Sequence, residues 1–350
     1  MRQASHAAFA LYRLPHADHC MRVEGETREL LSCTQLNGCS GFVIAPFEVK
    51  QGQPIVVIEG SATVCPLPPV MTPPPVAATL SPVDSSYAID FANFHTQLTE
   101  GTFRKIVLAR CSDETTHEAI EPVTLFHRAC QLYPRMFIAL VHTEQSGTWL
   151  TATPEILLEG HGGEWRTIAL AGTMLLEGEQ LRGEGENATW STKNIEEQRI
   201  VATYIAECLE QFTGDFSEEG PRTVRAANLV HLRSDFTFTL PDDRHIGNLL
   251  QALHPTPAVC GLPKRETMQF ITRNEHRPRC YYSGFMGPLQ LPHQPQGELS
   301  THLYVSLRCM NVNGNHYRLY AGGGLLKDST KQQEWQETEA KLETMRRCLG

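Results

Sequence analysis

Short apolar runs of strand length follow one another in pairs, and a few amphipathic helices separate the groups. This pattern is the strongest constraint the sequence places on its fold. Gly41–Ala45 and Pro54–Ile58 form an early pair. Lys105–Arg110 stands next, then Phe137–Val141, Thr148–Ala152, Ile156–Glu159 and Arg166–Ala171. Tyr281–Met286, Leu303–Cys309 and Tyr317–Tyr320 come later. Runs of this length bounded by turn residues read as strands. A helix is predicted from about Asp84 to Glu100, where Tyr87, Phe91, Phe94 and Leu98 repeat at helical spacing and Gly101 stops the repeat. A second carries the stripe Ile200, Val201, Tyr204, Ile205, Cys208, Leu209 and Phe212, and a third runs from Glu334 to Arg347. Strands in pairs favour an α+β protein with antiparallel sheets over a doubly wound one.

Pro66 to Pro82 holds seven of the 22 prolines and reads as a stiff extended stretch. No proline- or glycine-rich linker divides the chain after residue 83, so a single large domain is expected. Residues 1–83 supply strands and the proline-rich segment to the same fold as residues 84–350.

Hydrophobic residues at 41% and charged residues at 20% support a sizeable core and exclude wholesale disorder. No apolar run approaches the roughly 20 residues of a membrane helix. Arg2, His6, Arg13 and Asp18 spoil a signal-peptide core, so a cytoplasmic protein is expected, with no membrane partner. Thirty basic against 39 acidic residues, a net charge of −9, argue against a nucleic-acid partner. An anionic ligand would need arginines and lysines held locally. Eleven cysteines without a C-x-x-C spacing read as reduced core thiols. Fifteen histidines without H-E-x-x-H or H-x-H argue against a zinc enzyme.

Several residues sit oddly for their elements. Glu197 shares the buried face of its helix with Ile200 and Val201. It is either the N3 member of a capping box begun by Asn194 or a buried carboxylate with a partner. Glu334, Glu337, Lys341 and Met345 share one face of the last helix. Glu337–Lys341 is either an exposed pair or part of an inward site, where two helix-borne glutamates would suit magnesium. Lys105 is either an edge lysine or a buried base. Glu155, in Thr153-Pro154-Glu155, is a bulge residue or an acid aimed into a cleft. Gly322-Gly323-Gly324 follows a strand without P-loop or Rossmann spacing. The run is either a bulge or a place where backbone N–H groups approach an anion, and Ala171-Gly172-Thr173 raises the same choice.

Taken in order, nine segments resemble one family. They are Lys105–Arg110 (KIVLAR), Thr153–Leu157 (TPEIL), Leu170–Thr173 (LAGT), Lys193–Val201 (KNIEEQRIV), Leu253–Pro263 (LHPTPAVCGLP), Tyr282–Gly284 (YSG), Ser306–Cys309 (SLRC), Arg318–Gly324 (RLYAGGG) and Glu334–Leu342 (EWQETEAKL). The family is the chorismate-utilising enzymes, and the resemblance covers about residues 85 to 347. It implies a fold like that of anthranilate synthase component I: two stacked antiparallel β-sheets flanked by helices, with a cleft between them. It also implies magnesium as cofactor and chorismate and isochorismate as ligands. By the same resemblance Lys105 activates water and Glu155 is the general acid. Glu197 and Glu337 would hold the metal, with Glu334 in an outer or water-mediated place. Arg308 and Lys341 would hold substrate carboxylates, and Tyr282 would lie near them. Gly172, Thr173, Tyr320, Gly322 and Gly323 would line the pocket.

Within the family, Ala171 stands where aminodeoxychorismate synthases carry a nucleophilic lysine. Lys105 is a base that anthranilate synthases usually lack. Both point to water as nucleophile, and no glutamine amidotransferase subunit is expected. The segments LHPTPAVCGLP and EWQET look most like isochorismate synthase, an isomerase of the hydroxymutase type serving menaquinone or siderophore biosynthesis. Salicylate synthase, which goes on to eliminate pyruvate, is the alternative. A non-catalytic regulatory relative is a third reading, and the intact set Lys105, Glu155, Glu197 and Glu337 speaks against it. A monomer or homodimer is expected.

Overall fold

The computed structural model describes residues 7–67, 79–80, 85–176, 188–226, 229–240, 242–292 and 297–350. Two ten-stranded antiparallel sheets are stacked on each other, as the resemblance implied. The first runs in the order β15 (Gly261–Leu262), β8 (Lys105–Thr115), β20 (His316–Leu325), β19 (Cys309–Asn313), β10 (Gly147–Thr153), β9 (Phe137–Thr143), β1 (Phe9–Arg13), β2 (His19–Glu24) and β6 (Ala62–Pro66), with β7 (Thr79–Leu80) on β8. The second runs β13 (Phe216–Ala226), β14 (Leu229–Thr239), β12 (Glu164–Leu175), β11 (Ile156–His161), β18 (Leu299–Val305), β16 (Phe285–Leu289), β4 (Gly41–Ala45), β5 (Ile55–Glu59) and β3 (Glu26–Leu30), with β17 (Leu291–Pro292) on β18.

Alternation along these strands explains the layering, because successive side chains face opposite sides of a sheet. Inward residues such as Tyr12, Phe42, Val56, Phe137, Ile168 and Tyr304 form the core between the sheets. The helices are α1 (Ser86–Thr99), α2 (Pro122–Leu132), α3 (Thr192–Leu209), α4 (Ile246–Leu253), α5 (Lys264–Asn274) and α6 (Lys331–Leu349). Helices α3 and α4 cover the outer face of the second sheet, where Ile205, Leu249 and Phe236 are buried together. Helices α2 and α6 cover the first, through Phe126, Leu342 and Met345. Helix α1 packs its predicted stripe, Tyr87, Phe91, Phe94 and Leu98, against Ile106, Leu108 and Leu325.

Several predicted boundaries are corrected. Tyr281–Gly284 is a turn rather than strand, with Ser283 at φ 61, and β16 begins only at Phe285. Leu303–Cys309 is two strands of different sheets, broken at Ser306–Arg308. The last predicted strand continues through Gly322–Gly324. Strands β13 and β14 were not foreseen. The edge strand β13 is mostly exposed and charged, so it shows no apolar alternation. Helix α5 was missed because it buries only Thr267 and Ile271. Most of the predicted proline-rich stretch, residues 68–78 and 81–82, lies outside the described residues. All eleven cysteines are free thiols, eight of them buried. Among the described residues no helix is long and apolar enough to cross a membrane.

Two crossings between the sheets matter most. The chain leaves β10 and enters β11 through Pro154-Glu155, and it returns from β18 to β19 through Ser306–Arg308. The crossings lie side by side: Val305 N–H donates to Glu155 O at 2.9 Å, and Ala152 N–H donates to Arg308 O at 3.1 Å. Ile205, fully buried on α3, is the anchor of the helix that carries Glu197. Ile205→Ala is expected to lower stability by about 2–5 kcal/mol in urea unfolding. A change under ~1 kcal/mol would show that α3 is held by other contacts.

Candidate active site

Lys105 opens β8, pairs with Leu262 of β15, and is fully buried. Its Nζ lies 3.0 Å from Glu197 Oε1, with side-chain exposures of 0% and 9%. The edge-lysine alternative therefore does not hold. The capping box does not either. The N-cap of α3 is Ser191, whose Oγ accepts Asn194 N–H at 3.2 Å, which leaves Glu197 in the second turn. Burial pushes the Glu197 carboxyl up, but the charges of Lys105 and Lys193 outweigh it and hold the group below the usual range. A buried pair of this kind adds little to stability over an apolar one, so its presence is weak evidence of a stabilising role.

Glu155 and Arg308 come from the two adjacent crossings. Glu155 is 2% exposed. Burial pushes its carboxyl up to about 7, against the pull of Arg308, Lys105 and Lys341. Arg308 adopts φ 42, and burial lowers its guanidinium to about 10. Its NH2 donates to His231 Nε2 at 2.6 Å, while its buried NH1 has no partner. His231, opposite Thr173 on β14, is also within 3.1 Å of Gly172 O through Nδ1. These partners assign the ring proton to Nδ1. Burial, then Arg308 and Lys341, keep the imidazole neutral by lowering it well below its ordinary value. Sequence reasoning missed His231, which stands in a strand without any motif spacing. Gly172, at φ 71, takes the bulge in β12 that turns its carbonyl to the imidazole.

On α6, Glu334 is 1% exposed. Its Oε1 accepts from Lys193 Nζ at 2.5 Å and from Ser329 Oγ at 2.7 Å, and its buried Oε2 has no partner. Burial and the neighbouring Glu337 raise this carboxyl to about 7, although Lys193 opposes them. Glu337 Oε1 accepts from Lys341 Nζ at 2.7 Å, and Lys341 also donates to Gly322 O at 2.9 Å. Of the two alternatives for Glu337–Lys341, the exposed pair does not hold: the side chains are only 19% and 17% exposed. Arg110 sets the roll of α6, with its Nε on Thr338 Oγ1 at 2.8 Å and its guanidinium 3.6 Å above the Trp335 ring.

The three glycines act through the absence of side chains. Gly322–Gly324 lie in β20, and none has a positive φ. A Cβ at Gly324 would collide with Glu197 Oε1 and reach within 2.9 Å of Lys105 Cε. One at Gly323 would lie 2.7 Å from Glu334 Oε2, and one at Gly322 would lie 2.7 Å from the Tyr282 hydroxyl. The run is no bulge: it keeps its register with β8, and its glycines leave space for acidic and phenolic groups.

The cleft lies where β8 and β20 face β12 and β14. Glu155, Glu197, Gly172, Thr173, Arg308 and Lys341 reach it, with Tyr282, Tyr320 and Gly322 on its wall. The Tyr282 and Tyr320 rings stack with centroids 5.4 Å apart. Val107, Leu170, Val259 and Leu307 make an apolar side. Lys105, Gly323, Glu334 and Glu337 do not line the cavity; Lys105 and Glu337 lie one contact behind it, paired with Glu197 and Lys341. Among the described residues no three His, Cys, Asp or Glu side chains form a ready metal cage. Each of the three glutamates instead faces a lysine. The arrangement offers an anion an unpaired guanidinium N–H, and it offers a reacting group a carboxyl that titrates near neutrality.

A family description, chorismate binding enzyme, matches residues 73–350, and the chain belongs to that family. The isochorismate synthase EntC of Escherichia coli K12 is 30% identical over 249 residues, 70% of this chain and 62% of EntC. The salicylate biosynthesis isochorismate synthase of Pseudomonas aeruginosa PAO1 is 32% identical over 259 residues, 72% of this chain and 52% of that protein. The chain thus spans less than two thirds of the length of either relative. The solved structure of MenF, the menaquinone-specific isochorismate synthase of Escherichia coli, shares the fold with a TM-score of 0.80 at 23% identity, covering 100% of this chain and 90% of that one.

The raised Glu155 carboxyl has a consequence for stability. Its folded value, about 7, lies above the ordinary 4.5. The folded state therefore holds a proton that the unfolded state gives up, and stability falls as pH rises from about 4.5 through 7. Glu155→Gln removes this loss. The variant is expected to gain on the order of 3 kcal/mol relative to wild type between pH 4 and pH 8. Parallel pH profiles of the two proteins in urea unfolding would show that Glu155 is not held protonated.

Proposed function

We propose that the protein is an isochorismate synthase that converts chorismate reversibly to isochorismate with magnesium. The observation that carries this reading is a carboxyl pushed up to about 7, sharing a cleft with an unpaired guanidinium N–H and with Glu197, whose partner Lys105 is buried directly behind it. Chorismate is a dianion, so the Arg308 NH1 hydrogens and the Lys341 ammonium would bind its carboxylates. The Val107 and Val259 side would take the ring.

The residues present suit magnesium. Their donors are hard carboxylate oxygens, and Glu334 Oε2 is buried without a partner. Glu197 and Glu337 would hold the ion, with Glu334 reaching it through water. When bound, the metal supplies Lewis-acid polarisation of the ring carboxylate.

To act as the base, Lys105 must first give up the proton that makes it the partner of Glu197; it then takes a proton from the water that adds at C2. Glu155 gives its proton to the 4-hydroxyl, which leaves as water while both ring double bonds shift. One water enters and one leaves, so the product is an isomer. In the reverse direction the two residues exchange tasks. Relatives named isochorismate synthases favour this product over salicylate. Water as nucleophile removes the need for an amidotransferase partner. The product would serve menaquinone or siderophore biosynthesis. We place the enzyme in the cytoplasm as a monomer or homodimer.

Incubation with chorismate and magnesium, followed by HPLC, tests the reading. An EDTA-sensitive mixture of chorismate and isochorismate without pyruvate is expected. Salicylate with stoichiometric pyruvate would reassign the product, and absence of turnover would sink the enzymatic reading. Lys105→Ala is expected to cut turnover by about 10²–10⁴-fold or more; wild-type rates would place the base elsewhere. Arg308→Ala should raise KM far more than it lowers kcat, and an unchanged KM would count against its carboxylate role.

A further inference from the structure

The edge of β8 that faces the cleft loses its neighbouring strand halfway. β15 matches only Gly261 with Ile106 and Leu262 with Lys105. The last main-chain bond on this edge before β7 joins at Glu114 and Thr115 runs from Val107 N–H to Cys260 O at 2.7 Å. Beyond it Ala258 and Val259 line the cavity. The next main-chain groups of β8 along this edge, the Val107 carbonyl and the Ala109 N–H, have no strand partner, and buried groups of this kind must find one.

Two side chains that follow α5 supply the partners. Arg279 NH2 donates to Val107 O at 2.8 Å, and Arg279 NH1 donates to Val259 O at 2.6 Å. Glu275 Oε1 accepts Ala109 N–H at 2.8 Å. The two are tied to each other by Arg279 Nε on Glu275 Oε2 at 2.7 Å, with side-chain exposures of only 3% and 4%. The Phe47 ring backs the guanidinium at 4.3 Å. Neither residue reaches the cavity, but Val107 and Val259, the residues they bridge, both line it.

A guanidinium spanning two carbonyls holds its chains wider apart than the about 4.8 Å of paired strands. A buried ion pair is a poor device for stability alone, whereas its planar fork fixes a distance well. We propose that Glu275 and Arg279 are positioning residues: together they replace a missing strand beside β8 and hold in place the wall of the cleft that Val107 and Val259 form. This rests on the chorismate reading, because the ligand's ring is what that wall must fit. The pair acts on substrate binding through the wall, not on the proton transfers.

The test compares wild type with Arg279→Lys, which keeps the charge but bridges only one carbonyl, and with Glu275→Gln, which keeps the shape but loses the charge. Steady-state kinetics with chorismate are read beside thermal unfolding. Arg279→Lys is expected to raise KM about tenfold while kcat stays within about threefold, with Glu275→Gln moving the same way by less. A lowered Tm with unchanged KM would overturn the proposal and leave the pair a purely structural tie. Val259→Ala widens the same wall without touching the pair, so it decides the matter if the charged-pair variants fail to fold. A raised KM there supports a wall that the ring must fit, and an unchanged KM overturns the proposal. Wild-type protein that does not turn over chorismate would sink the chorismate reading itself, a result visible before any variant is made.

Discussion

A lysine from a strand of the first sheet and a glutamate from a helix on the second meet 3.0 Å apart with almost no exposure to water. Two charges in such a place cost several kcal/mol each unless they are matched closely, and much of the neighbouring structure serves that match. Gly324 has no side chain because the Glu197 carboxylate and the Lys105 stem occupy its space. Ser191 begins α3 early enough for Glu197 to fall on the inward face. The same logic repeats at Gly323 with Glu334, and it links three lysines to three glutamates around one strand end.

The second organising feature is the pair of adjacent crossings between the sheets. A chain that passes from one sheet to the other cannot continue its ladder, so its side chains point into the space between the sheet ends. Glu155 and Arg308 stand at these two places, and each is buried with a shifted proton affinity because the sheets close over it. Among the described residues, Arg308 NH1, the Ser306 hydroxyl in the same crossing and Glu334 Oε2 are buried without a partner in the protein.

Much of the site was legible before the fold was known, but from motifs rather than from periodicity. Spacing alone left Glu197 between a cap and a buried ligand, and Lys105 between an edge and a base. The structure decides both for the buried reading, because each residue's environment is made by the other. Apolar periodicity located many of the central strands and the α1 and α3 stripes, but not β1, β2, β14, α2 or α4. It failed for β13, which is charged and exposed along a sheet edge, and for α5, which buries little. It also carried one run through Ser306–Arg308, since apolar residues on both sides of a crossing look continuous in sequence. His231 and the Glu275–Arg279 pair carried no signal, because their roles come from partners remote in the chain.

The sequence by itself determined the paired strands, the amphipathic helices, the acidic background and the order of the family's segments. These follow from side-chain period and composition, which report whether a face is buried but not against what. Only the tertiary structure decided which carboxylates face lysines, which glycines are spaces for neighbouring groups, and which edge of β8 is completed by side chains. Those outcomes depend on distances between elements of different sheets. Such distances are set by how the two sheets stack and where the chain crosses between them, and no local pattern encodes them.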